Sequence, residues 1–112
     1  MEHTLTWVEI SGDNLRGNIR ALKDSVGSDR IMCAAVKSNA YGHGMKECAP
    51  IMLASRADWL CVNALFEAIE LRDAGIQAPV YIMGYIPLHE LGEAVERGFH
   101  CVVYNRETLR KL

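Results

Sequence analysis

The sequence predicts an α/β chain of parallel βα units, about the first half of a (β/α)8 TIM barrel, preceded by a short β-strand and a helix. Three observations carry that prediction. Apolar runs begin at Ile31, Trp59, Val80 and Cys101, spaced 28, 21 and 21 residues apart, which is the rhythm of strand plus helix rather than of hairpins. The run from Ile31 to Val36 holds no charge, as a strand buried on both faces of a parallel sheet would. Helical stretches end near Gly75 and Gly98, with Arg72 and Arg97 in their last turns, where a cation suits the helix dipole. A complete barrel takes about 250 residues, so a chain of 112 supplies roughly half. We therefore expect residues 1–112 to be the N-terminal part of one barrel domain, lacking the second half-barrel and any further domain.

Each element has its own signal. Thr4 to Ile10 alternates apolar and polar residues and is β-branched enough for a short strand. Ser11 or Asp13 can cap the helix beyond it, where Leu15, Ile19, Leu22 and Val26 recur at helical spacing before Gly27. Beyond the Ile31–Val36 strand, Met45 to Arg56 reads as a helix, Trp59 to Val62 as a strand, and Leu65 to Ala74 as a helix. The unit then repeats, with Val80 to Met83 a strand, Leu88 to Arg97 a helix opened by Pro87, and Cys101 to Tyr104 a strand. Arg106 to Leu112 is a last helix. Glu67, Glu70 and Arg72 read as a solvated helix face.

Composition limits the function. With half its residues apolar and a net charge of −2, the chain has no electrostatic reason to bind nucleic acid or an anionic membrane. No apolar run approaches the ~20 residues of a membrane span, and the N-terminus lacks the pattern of a signal peptide, so a cytoplasmic location is expected. Cys33, Cys48, Cys61 and Cys101 have no close-pair spacing and are expected as buried free thiols. The four histidines form no ligand pair at helical spacing, and no metal site is expected.

The chemistry centres on Lys37, where the first apolar run ends and a glycine-flanked loop begins. In barrels, ligands bind at the C-terminal strand ends. An amine held there against apolar walls loses solvation for its charged form and can attack a carbonyl carbon. Asn63, Met83 with Gly84, and Tyr104 with Asn105 end the later strands and are expected on the same face. Tyr41, four residues beyond Lys37, can reach the same pocket.

Val36-Lys37-Ser38-Asn39-Ala40-Tyr41-Gly42-His43-Gly44 closely resembles the pyridoxal-phosphate lysine motif of the alanine racemase family, which usually has Ala where this chain has Ser38. Barrel decarboxylases of basic amino acids share the core of that motif but lack Tyr-Gly-His-Gly. The resemblance extends from Trp7-Val8-Glu9-Ile10 and Asn14-Leu15-Arg16-Gly17-Asn18 to Leu71-Arg72-Asp73-Ala74-Gly75. It implies that pyridoxal 5'-phosphate is anchored on Lys37, which is also one of two bases that invert an amino acid. It further implies that Tyr41 lies beside the cofactor and its phosphate, and that Met83 lies against the cofactor ring. The other base in the family is a tyrosine from the C-terminal domain of the partner subunit, so a homodimer is implied for the full-length protein. The implied role is conversion of L-alanine to D-alanine for cell-wall peptidoglycan, with this segment inactive alone. Two other readings stay open, a non-catalytic pyridoxal-phosphate-binding barrel and a racemase segment for another amino acid such as serine.

Overall fold

Ser11 opens the first helix, its hydroxyl oxygen accepting from the Asn14 N–H at 3.2 Å, and α1 runs over Gly12–Val26. Gly27, at φ +95°, ends it with an N–H donated to the Lys23 carbonyl. The computed structural model describes residues 4–112. Beyond α1 come β1 (Cys33–Ala35), α2 (Met45–Ala54), β2 (Trp59–Val62), α3 (Leu65–Asp73) and β3 (Val80–Ile82). A 3₁₀ turn at Leu88–Glu90 then leads into α4 (Leu91–Glu96), and β4 (His100–Cys101) and α5 (Arg106–Lys111) complete the order. The strands form one parallel sheet in the order β1-β2-β3-β4.

One face of this sheet carries the core. Ala34, Val36, Leu60, Val62, Val80 and Ile82 meet Ile19, Cys48, Ala49, Ala68, Leu71 and Leu91 from the helices, all buried. The opposite face is concave and open. Across it the rings of Trp59 and His100, from alternate strands, lie 4.2 Å apart, as inward side chains of a curving barrel wall do. The arrangement is that of the first four βα units of a barrel.

Four expectations need correction. Thr4 to Ile10 forms no strand, and Leu5, Trp7, Val8 and Ile10 are exposed; alternation yields a strand only where a neighbour supplies a ladder, and no other described residues do so. The Ile31–Val36 run is not buried on both faces. Ile31 and Cys33 are exposed and Ala35 is half-buried, because helices cover only one side of the sheet. The fourth strand is shorter than expected and begins one residue earlier, with Val103 and Tyr104 exposed beyond it, since β4 pairs on one side alone. The cysteines are free, but only Cys48 and Cys61 are buried.

In α1 the buried stripe is Ile19 and Lys23 with Leu15 half-buried, while Leu22 and Val26 remain exposed. Lys23 donates to the Asp58 carboxylate at 2.6 Å and to the Arg30 carbonyl. The same carboxylate accepts from the Met32 N–H at 2.7 Å, so one charge pair ties α1 to the entrances of β1 and β2.

Candidate active site

The ladder continues past each strand and aligns their C-terminal ends. Val36 donates to the Cys61 carbonyl at 2.9 Å, Met83 to Val62 at 2.9 Å, Gly84 to Asn63 at 3.1 Å and Val102 to Ile82 at 3.2 Å. Lys37, Asn63 and Met83 with Gly84 thereby share one edge of the sheet, as the sequence predicts, with Tyr104 two residues beyond the last bond. A Cβ on Gly84 would run into the Asn63 carbonyl oxygen, so only glycine lets β3 end this close to β2. Tyr104 and Tyr85 stand over the far part of the edge, ring centroids 6.5 Å apart.

Lys37 is half-buried and takes part in none of the ion pairs among the described residues. The backbone beyond it takes a rare course. Ser38, Asn39, Ala40 and Tyr41 all have φ between +53° and +56°, which makes a left-handed turn from four residues with side chains. Left-handed helical backbone costs L-residues about 1–2 kcal/mol each, and such strain persists only where the surroundings over-determine it. The turn has internal bonds, Ala40 N–H to the Val36 carbonyl at 2.8 Å and Gly44 N–H to the Asn39 carbonyl at 2.9 Å. The Asn39 side chain accepts from the Met45 N–H at 2.8 Å, joining the turn to the start of α2.

A second anchor comes from α3. Glu67 is 5% exposed, and its carboxylate accepts from the Ser38 N–H at 2.7 Å through Oε2. Oε1 accepts from Asn63 at 2.8 Å and Ala64 at 3.0 Å. Glu67 is thus no solvated residue, and neither is Arg72 on the same helix. That guanidinium donates to the Ile76 and Ala78 carbonyls at 2.6 and 3.1 Å and lies 5.2 Å over the Phe99 ring, closing the loop before β3. Of the three, Glu70 alone fits the solvated reading, half-buried and 3.1 Å from Lys46. The sequence did hold a signal for Glu67, which stands at the third position of α3, where a carboxylate reaches back to the helix start.

Tyr41 lies at the end of the turn, 64% exposed, and lines a groove of about 390 Å³ with Glu9, Ile10, Asn14, Ala35 and His43. Lys37 does not line that groove, so the two meet through the turn that joins them rather than in one closed cavity. Met83 is half-buried at the end of β3. On the open face, the Cys33 thiol is pushed up to about 12, first by desolvation and then by the Cys61 thiol beside it, which keeps it protonated and unreactive at neutral pH.

Known proteins resemble this chain over nearly its whole length. Residues 10–112 match the family model described as alanine racemase, N-terminal domain. The chain belongs to the alanine racemase family. It is 39% identical over 107 residues to alanine racemase 2 of Caldanaerobacter subterraneus subsp. tengcongensis, covering 96% of this chain and 28% of that relative. An alanine racemase of Desulforamulus reducens is 37% identical over 106 residues, covering 95% and 29%. The chain therefore spans under a third of the length of these family members. Among solved structures, the alanine racemase of Bacillus anthracis with bound L-Ala-P superposes with a TM-score of 0.93 at 35% identity, covering 99% of this chain and 29% of that one. The histidine racemase of Leuconostoc mesenteroides subsp. sake superposes with a TM-score of 0.82 at 25% identity, covering 89% and 27%.

Proposed function

We propose that this chain is the N-terminal part of the barrel domain of a pyridoxal-phosphate-dependent alanine racemase, in which Lys37 anchors the cofactor and serves as one of two bases. The observation that carries the reading is Lys37 itself, a half-buried amine in no ion pair among the described residues, at the end of β1, in a chain of the alanine racemase family. The donor set fits a cofactor with an aldehyde, a phosphate and a flat ring. Lys37 offers a primary amine, Tyr41 an exposed phenol for the phosphate end, and Met83 an apolar thioether for a ring face. When bound, pyridoxal phosphate supplies an electron-withdrawing ring that delocalises the negative charge left at an amino acid's α-carbon. Lys37 Nζ accepts or returns the α-proton on its own side.

Inversion needs a second base on the opposite side, contributed by the partner subunit of a cytoplasmic homodimer that makes D-alanine for peptidoglycan. The 112-residue chain alone is expected to retain the anchor and not to invert alanine. Its likeness to a histidine racemase favours one second reading, the same chemistry on a different amino acid. The test is reduction of the purified chain with borohydride in the presence of pyridoxal phosphate, then peptide mapping. The pyridoxyl mass is expected on the Lys37 peptide, absent in Lys37→Ala and retained in Ser38→Ala. Label on Lys23 or Lys46 instead would overturn the assignment. D-alanine formation well above the cofactor-only blank would overturn the incompleteness of the site.

A further inference from the structure

We infer that Glu67 is the positioning residue of Lys37, fixing the left-handed backbone that leaves the lysine and thereby the place where Nζ sits. The inference rests on the reading of Lys37 as the cofactor anchor. A glutamate at the third position of a helix ordinarily turns back to the N–H groups at that helix's own start. Glu67 does this with Oε1, bonding Asn63 and Ala64. Its other oxygen is not needed for α3. Oε2 crosses to the preceding βα loop and takes the Ser38 N–H at 2.7 Å, 29 residues away in sequence. Ser38 is both the residue after Lys37 and the first of the four left-handed residues.

The bond fixes the peptide plane between Lys37 and Ser38, the point from which the left-handed residues set out. Were that plane to turn, a buried carboxylate oxygen would lose its donor, an outcome that low-dielectric surroundings penalise heavily. The internal bonds of the turn close it on itself but do not tie it to the rest of the sheet's C-terminal edge. Glu67 does, because Asn63, which it also holds, ends β2 and in turn accepts from the Gly84 N–H at the end of β3. One carboxylate therefore sets the relative position of three strand ends: Lys37, Asn63 and the Met83-Gly84 pair. Both of its oxygens are taken by backbone N–H groups, and it acts on Lys37 through Ser38.

The test compares the purified chain with Glu67→Gln, which keeps size and one acceptor but turns an N–H₂ toward the Ser38 N–H. Glu67→Asp, one methylene short of Ser38, is the second variant if the first does not fold. A third, Ile82→Val, is a control that loosens the core without touching the loop. Each is treated with pyridoxal phosphate and borohydride well below its melting temperature, and the rate of labelling at Lys37 is read relative to surface Lys46. The ratio is expected to fall about tenfold or more in the Glu67 variants, in line with the cost of misplacing a reacting group, and to stay unchanged in Ile82→Val. Equal falls in Ile82→Val and Glu67→Gln would reduce Glu67 to general stability and overturn the inference. An undiminished ratio in Glu67→Gln and Glu67→Asp would overturn it too, with the anchor role of Lys37 left standing. No preference for Lys37 in the unaltered chain would overturn the anchor role and this inference together.

Discussion

Lys23 shows how much a single side chain can organise. Buried in the last turn of an amphipathic helix, it is satisfied by the Asp58 carboxylate and the Arg30 carbonyl, and losing Asp58 would leave an ammonium short of its partner. The lysine Nζ, then the Met32 N–H, hold the Asp58 carboxyl below the ordinary 3.8, against a smaller opposing effect of desolvation. The unfolded chain therefore takes up the proton more readily than the folded one. Stability from this pair is complete above about pH 4 and is lost as the pH falls through the depressed folded value. Asp58→Asn is expected to lower the unfolding free energy at neutral pH by about 1–3 kcal/mol, with the gap to the unaltered chain narrowing in acid. Urea melts at pH 7 and pH 3 check this, and a gap of equal size at both would refute it. The helical pattern alone pointed to Leu22 and Val26 in place of Lys23, because hydropathy cannot register a charged group that finds its partner 35 residues on.

At the scale of elements, the strands and helices were legible because each is announced locally. Trp59–Val62 falls where the apolar run predicts it, and Ser11 caps α1 as its chemistry suggests. The edge that gathers Lys37, Asn63 and Met83 was legible too, since parallel strands leave only one face where their C-termini can meet. What sequence could not convey was the left-handed turn, as the run from Ser38 to Tyr41 contains no glycine to announce positive φ, and its support comes from the remote Glu67. The strand at Thr4 to Ile10 failed for the reverse reason, a sound local pattern without a partner. The edge itself yields a prediction in two opposed substitutions. Gly84→Ala drives a methyl into the Asn63 carbonyl oxygen and should cost at least about 2 kcal/mol. Gly92→Ala, inside α4 with nothing within 4 Å of its Cβ position, should gain about 0.5–1 kcal/mol. Chemical denaturation of both variants decides it, and a Gly84→Ala chain as stable as the parent would show that the strand ends can part freely.

As a whole, the molecule is a curved slab of 49 × 41 × 21 Å, two layers thick, with helices on its convex side. The concave side presents Trp59, Tyr81 and His100, and among the described residues β1 and β4 each pair on one side only. Uncovered apolar surface and open strand edges both favour association. Sedimentation velocity across a range of concentrations is expected to show self-association of the isolated chain, and a sharp monomer at every concentration would contradict it. The order of the strands has a further consequence, which concerns time. Because β1, β2, β3 and β4 are neighbours in the order in which they are synthesised, each strand finds its place already built when it leaves the ribosome. With β2, β3 and β4 starting 21 and 20 residues apart, and synthesis at about 5–20 residues per second, a new unit arrives roughly every 1–4 s. Docking of one element onto a finished neighbour is far faster than that. The wall can therefore be laid down strand by strand from Cys33 onward, its growing edge always the newest part of the chain.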